Sequence, residues 1–172
     1  MTTIDTERLR LRPWSRSDAP ALYELAKDPR IGMACGWPPH TRIDDAYDAL
    51  STVLAAPESY AVTLRESNEL VGAIALRMKA ADSRDVADLG YWTGRPYWGN
   101  GYATEAGRAI VDHAAHLGYA TLTLSYFEGN DASRRVAQKL GFTWQGRDEG
   151  VEFPLIGKRV SLHRTALALT QG

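Results

Sequence analysis

The chain has 172 residues, with 20 lysines and arginines against 21 aspartates and glutamates and a formal net charge of -1. That length fits one domain, 1–172, able to bury its apolar surface without staples, and the balanced charge lacks the polybasic footprint of general nucleic-acid binding. A single cysteine, Cys35, excludes an internal disulfide and a cysteine-built zinc cage; with a polar N-terminus and no apolar run of membrane-spanning length, a soluble cytoplasmic protein without a membrane partner is expected.

In chain order, residues 8–13 alternate charged and apolar side chains and predict a first strand. Ser17 stands where an N-cap belongs, Asp18 and Pro20 suit a first turn, and Leu22, Leu25 and Ala26 form one helical face that ends near Lys27. Residues 28–41, with Gly32, Gly36 and Trp37-Pro38-Pro39-His40, read as a loop. A second helix is expected over about 43–55 and strands over 60–64 and 70–78, joined by a hairpin connection at Glu66-Ser67-Asn68-Glu69. Residues 79–85 are polar and expected to be mobile. A strand over 86–93 ends in Gly94-Arg95-Pro96, which stops regular pairing. Ala103, Ala106, Ile110, Ala114 and Leu117 then recur at helical spacing, and Gly118 closes that helix. The β-branched and aromatic stretch 121–126 predicts a strand. Asn130-Asp131 caps a helix whose Val136, Ala137 and Leu140 face inward before Gly141, and two further strands fill 143–169. The order β-α-α-β-β-β-α-β-α-β-β is that of a mixed α/β, or α+β, domain.

The segment Tyr97-Trp98-Gly99-Asn100-Gly101-Tyr102-Ala103-Thr104-Glu105-Ala106 carries the clearest chemistry. A strand end, two glycines and a helix start aim backbone N–H groups and the positive end of the helix dipole at one point, which favours an anion. Glu105, in the first turn, reads as a partner of that dipole. A P-loop is ruled out because no Gly-Lys-Ser/Thr follows. A dinucleotide site fits poorly: Thr104 occupies the third glycine position, and too little chain follows for a six-stranded fold. His113 and His116 share a helix face without a third ligand, so no metal is expected. Cys35 has no identifiable base, and no Gly-x-Ser-x-Gly elbow exists.

Four segments in order carry a resemblance: Thr6-Glu7-Arg8-Leu9-Arg10-Leu11-Arg12, Asp88-Leu89-Gly90-Tyr91-Trp92, the glycine segment, and Asn130-Asp131-Ala132-Ser133 leading to Lys139-Leu140-Gly141-Phe142. Together the chain resembles the GNAT superfamily of N-acetyltransferases, specifically the branch that acetylates ribosomal-protein N-termini. The resemblance implies a mostly antiparallel sheet of about seven strands with a splayed central pair, flanked by about four helices. It implies acetyl-CoA as co-substrate and direct transfer to an amine, with the pantetheine arm lying in the splay between 89–93 and 121–126. By the same resemblance Trp98, Gly99, Asn100, Gly101, Tyr102, Ala103 and Thr104 surround the pyrophosphate, while Tyr91 and Trp92 on the splayed strand and Asn130 contact the cofactor. Trp37 and His40 lie in the loop that borders the acceptor. Pro96 departs from the family's usual Gln or Arg. The family's tyrosine acid is replaced near Ala137, which leaves Ser133 as the group that assists the thiolate. Asp88, Glu149 and Glu152 compete as the base. A homodimer is also implied.

The acceptor is left open between a protein N-terminus and a small amine such as a polyamine, amino acid or aminoglycoside. Deprotonating an α-amine at pH 7 costs about 1 kcal/mol, against roughly 4.6 kcal/mol for a lysine. An N-terminal acceptor therefore asks little of a base. A non-catalytic acyl-CoA sensor is the rival from another class.

Overall fold

The structure, a computed structural model, describes residues 2–78 and 85–170. Strand β2 (Leu9–Pro13) buries Leu9 and Leu11 and turns Arg10 and Arg12 outward, as the alternation predicts. It is preceded by β1 (Ile4–Asp5), a two-residue strand too short to leave a periodic signal. Helix α1 (Ala19–Ala26) follows a 3-10 turn. The N-cap of that turn is Ser15, which corrects the assignment to Ser17. The Ser15 side chain accepts from Ser17 N–H, and the Asp18 carboxylate accepts from Ser15 N–H.

A second correction falls in the expected loop, which contains helix α2 (Pro29–Cys35). Asp28 caps its start, Pro29 occupies the first turn, and Gly36 ends it at φ 86°. Gly32 is a packing glycine within the helix, since a Cβ there would fall 2.5 Å from the Trp37 ring. Helix α3 (Ile43–Ser51), strands β3 (Ser59–Leu64), β4 (Leu70–Met78) and β5 (Val86–Thr93), helix α4 (Tyr102–His116) and strand β6 (Thr121–Phe127) follow. Helix α5 (Asp131–Lys139) and the long hairpin β7 (Thr143–Phe153) and β8 (Lys158–Ala168) complete the chain. Of the segment expected to be mobile, 79–84 lies outside the described residues.

The eight strands form one sheet in the order β1-β2-β3-β4-β5-β6-β8-β7. All neighbours are antiparallel except β5 and β6. The described residues thus hold eight strands and five α-helices, one of each beyond the expected count, the extra elements being β1 and α2. On one face α4 and α5 bring Ile110, Ala114 and Ala137 onto Leu9, Tyr60, Leu89 and Leu122. On the other, α1 and α3 pack Leu22, Ala26 and Ala46 against Ala61 and Leu70. Alternate residues of one strand, such as Tyr60 and Ala61, thereby serve two cores. No described helix is long and apolar enough to cross a membrane.

Candidate active site

The parallel ladder between β5 and β6 comprises only Val86↔Thr121, Ala87↔Leu122 and Asp88↔Thr123. Beyond Asp88, β5 stays paired with β4 as far as Thr93↔Gly72, and β6 stays paired with β8 through Phe127↔Leu162. The two central strands therefore diverge and leave a gap lined by backbone on both sides. Gly94 N–H donates to Val71 O on the β4 side, whereas Asp85 O accepts from Thr121 N–H on the β6 side. Since backbone groups alternate sides along a strand, those of Tyr91 and Thr93 face the gap. Trp98 Nε1 reaches Thr93 O from that side at 2.8 Å.

At the open end of β5 the chain makes a 3-10 turn (Arg95–Tyr97) and enters α4. Gly99 and Gly101 have φ of 80° and 78°, a region that disfavours any side chain. Gly101 is the N-cap of α4 and supplies no side-chain cap, so the first-turn N–H groups of Tyr102, Ala103 and Thr104 are presented with the helix dipole behind them. Asn100 holds the loop through Nδ2, which donates to the carbonyls of Tyr97 at 3.0 Å and Trp98 at 3.2 Å. A brace from the first strands fixes the helix start. Thr6 Oγ1 and Arg8 N–H donate to Glu105 Oε1 at 2.6 and 2.8 Å, and Arg8 Nε donates to Oε2 at 2.7 Å. Burial pushes the Glu105 carboxyl upward, but these hydrogen bonds and the Arg8 charge outweigh it and hold it below its ordinary range. The Arg8 guanidinium also lies 4.8 Å over the Tyr102 ring and donates to Asn100 O. The Thr104 side chain is buried, which leaves its backbone as the group it can offer.

One wall of the gap comes from α5. Asn130 caps that helix by accepting from Ser133 N–H at 3.1 Å. Ser133 Oγ lies 3.0 Å from the Tyr91 hydroxyl, and burial pushes the Tyr91 phenol up to about 12. This pair was not legible in the sequence. Strand alternation places Tyr91 on the face of Leu89, but only the packing of α5 on that face brings Ser133 to it.

Asp88, Gly90 and Trp92 belong to the opposite face of β5. Asp88 stands at the last rung before the divergence, and its Oδ1 accepts from Thr123 Oγ1 at 2.8 Å. Asp88 and Ser133 are thus brought to the same gap from different faces of the sheet. Trp92 meets Trp37 edge to face at 6.0 Å, and Trp37 lies 5.8 Å from the His40 ring. His40 Nδ1 is buried without a hydrogen-bond partner among the described residues, and burial lowers its pKa. Cys35, at the end of α2, brings its Sγ to 4.0 Å from Tyr91 O. The hairpin tip closes over this end, with Phe153 edge to face with Phe127 at 4.7 Å and against Gly36. Glu149 and Glu152 are exposed on β7, in ion pairs with Arg147 and Arg159.

A separate hollow of about 460 Å³ runs along the outer flank of α4, lined by Asp5, Arg108, Asp112 and His113 among others. It is open to solvent and takes no residue from the diverging strands, so the gap is the better candidate site. Among the described residues no cluster of His, Cys, Asp and Glu could hold a metal ion. Backbone donors along a strand edge, an uncapped helix start and a hydroxyl pair can together hold an extended, anionic ligand and stabilise developing negative charge.

The sequence pattern of the Acetyltransferase (GNAT) domain matches residues 8–143. Among curated proteins, the chain is 27% identical over 156 residues to an uncharacterized N-acetyltransferase, p20, of Bacillus licheniformis, covering 85% of each. A GNAT-family acetyltransferase structure from Bacillus anthracis superposes with a TM-score of 0.87 at 21% identity, covering 97% of this chain and 98% of that one. The ribosomal L7/L12 alpha-N-protein acetyltransferase RimL, solved with coenzyme A, gives a TM-score of 0.85 at 21% identity over 99% of this chain and 100% of its own.

Proposed function

Because the chain belongs to the GNAT acetyltransferase family, an acetyl-CoA-dependent group of N-acetyltransferases, we propose that its acceptor is the α-amine of a polypeptide N-terminus. The cofactor's place in this reading is carried by the gap beyond Asp88, with an uncapped helix start at its mouth. In this reading the pantetheine lies along β5 as an extra strand, accepting from the Thr93 N–H. The pyrophosphate sits on the N–H groups from Gly99 to Thr104, reached closely because Gly99 and Gly101 carry no side chain. Asn130 borders the pantetheine, and Trp92, Trp37 and His40 stiffen the acceptor side.

The amine attacks the thioester carbon directly. Tyr91 N–H stabilises the oxyanion, Ser133 Oγ–H stabilises the departing sulfur, and the amine proton passes to Asp88 through water. Support for an α-amine comes from the placement of Asp88, engaged by Thr123 at the closed end of the gap. Such a base serves an amine that is already partly neutral at pH 7 far better than a lysine, by roughly 3 to 4 kcal/mol of deprotonation cost. The test compares acetyl transfer to a peptide α-amine, to the same peptide N-terminally blocked with one lysine, and to a panel of small amines across pH 6 to 9. The α-amine peptide is expected to be fastest at neutral pH. Preference for the lysine peptide would overturn the proposal, and activity confined to small amines would move the acceptor to that class.

A further inference from the structure

The hydroxyl groups of Tyr91 and Ser133 come from a central strand and from a helix 42 residues later, and they meet at 3.0 Å. Ser133 is held in the first turn of α5 by the bond from its N–H to Asn130 Oδ1. Its hydroxyl has no other hydrogen-bond partner among the described residues. A hydroxyl has one proton to give and two lone pairs to receive with, so the direction of the Tyr91 bond decides what Ser133 has left to offer. A phenol O–H is a better donor than an alkyl O–H, and burial, which pushes the Tyr91 phenol up to about 12, keeps that proton in place throughout the neutral range. Tyr91 therefore donates, Ser133 Oγ accepts, and the Ser133 proton is free to point into the gap. Hydrogen bonds in series polarise one another, which makes Ser133 a stronger donor than an isolated serine.

We infer that Tyr91 is a positioning residue for thiolate departure: its buried hydroxyl orients and polarises Ser133 so that the serine O–H points at the CoA sulfur. This rests on the reading that the gap holds acetyl-CoA. In the step itself the amine nitrogen forms its bond to the acetyl carbon and the carbon–sulfur bond breaks. The bonding pair stays on sulfur, and the proton lost by nitrogen goes to the base or to water. The phenol is a weaker acid than a thiol, so its proton stays on oxygen, and the pair supplies hydrogen bonds without net proton transfer.

The test is a double-mutant cycle on the full chain, read as kcat and KM for acetyl-CoA with the best amine acceptor. Ser133→Ala should lower kcat by roughly 10- to 1,000-fold. Tyr91→Phe, which removes one oxygen, should lower it by roughly 3- to 20-fold, the scale of one hydrogen bond, with KM for acetyl-CoA changed by less than about 2-fold. The double variant should match Ser133→Ala alone, because Tyr91 acts only through Ser133. A readout that packing would not move is the leaving group. With the selenium analogue of acetyl-CoA, whose selenolate leaves more easily, both single defects should shrink. Unchanged kcat in Tyr91→Phe, losses that multiply in the double variant, or defects equal for the sulfur and selenium donors would each overturn the relay. Failure of the unmodified protein to transfer acetyl to any amine would overturn the functional reading instead, and the relay with it.

Discussion

At the scale of single residues, Cys35 shows how the gap controls reactivity. The residue is exposed to solvent, yet protein atoms surround its thiol, and this crowding pushes it up to about 11 against a lowering pull from Arg77. With that value, about one thiol in ten thousand is ionised at pH 7, far fewer than for a free cysteine near 8.5. Alkylation by iodoacetamide should accordingly be slow at pH 7.5, rise about tenfold per pH unit and level off near pH 11. A rate that plateaus near pH 8.5 would show an ordinary thiol. Sequence reading found Gly99 and Gly101 because paired glycines before a helix have few other uses, and their positive φ shows why they are glycine. It could not find the Tyr91–Ser133 contact, nor that Glu105, expected to answer the helix dipole, also ties α4 to the turn between β1 and β2 through Thr6 and Arg8. Contacts between residues 42 or 99 positions apart leave no local trace in composition or periodicity.

Among the elements, those with strong periodicity were legible and those defined by their ends were not. Strands β3 and β4 follow from short apolar runs that are buried on both faces, β5 from its stop at Gly94-Arg95-Pro96, and helix α4 from apolar residues at helical spacing. Helix α2 is seven residues long, and its own glycine disguised it as a loop, although the Asp28-Pro29 start and Gly36 stop were present in the chain. The cap ahead of α1 was displaced by two residues, from Ser15 to Ser17, because a 3-10 turn precedes the helix and either serine suits a cap until Asp18 is seen to close the box with Ser15. Asp18 also accepts two bonds from the Arg12 guanidinium, at 2.9 and 2.8 Å, and so joins the helix to β2. Burial pushes the Asp18 carboxyl upward, but the bonds from Arg12 and Ser15 outweigh it and lower the pKa below its ordinary value. A depressed folded-state pKa means that the stabilisation is complete above the unfolded value near 3.9 and is lost as pH falls through the folded one. Replacing Asp18→Asn should cost about 1–3 kcal/mol in urea denaturation at pH 7, and the gap to the native protein should narrow below about pH 4. An equal deficit at pH 7 and pH 3 would show that the charge contributes nothing.

For the molecule as a whole, the layered α/β architecture was legible from the order of elements, but the divergence of β5 from β6 was not. Their sequences are both good strands, and nothing in either says that pairing stops after three rungs. At the open end, α2 ends with Cys35 against Tyr91 O, and Gly36 lies under Phe153 of the β7–β8 hairpin. The near ends of the strands stay joined through the Asp88↔Thr123 rung, and the far ends pair only with β4 and β8. The gap is thus part of the resting fold, and a ligand that fills it replaces a missing strand without moving the sheet. Amide hydrogen exchange resolved by residue tests this directly. Ala87 and Leu89, within reach of the closed rungs, should exchange slowly with or without CoA, whereas the amides of Tyr91 and Thr93 should exchange readily alone and slow by at least about tenfold on saturation with CoA. Protection of Tyr91 equal to that of Ala87 before CoA is added would mean that the strands are closed in solution. Unchanged Tyr91 exchange at saturating CoA would mean that the cofactor lies elsewhere.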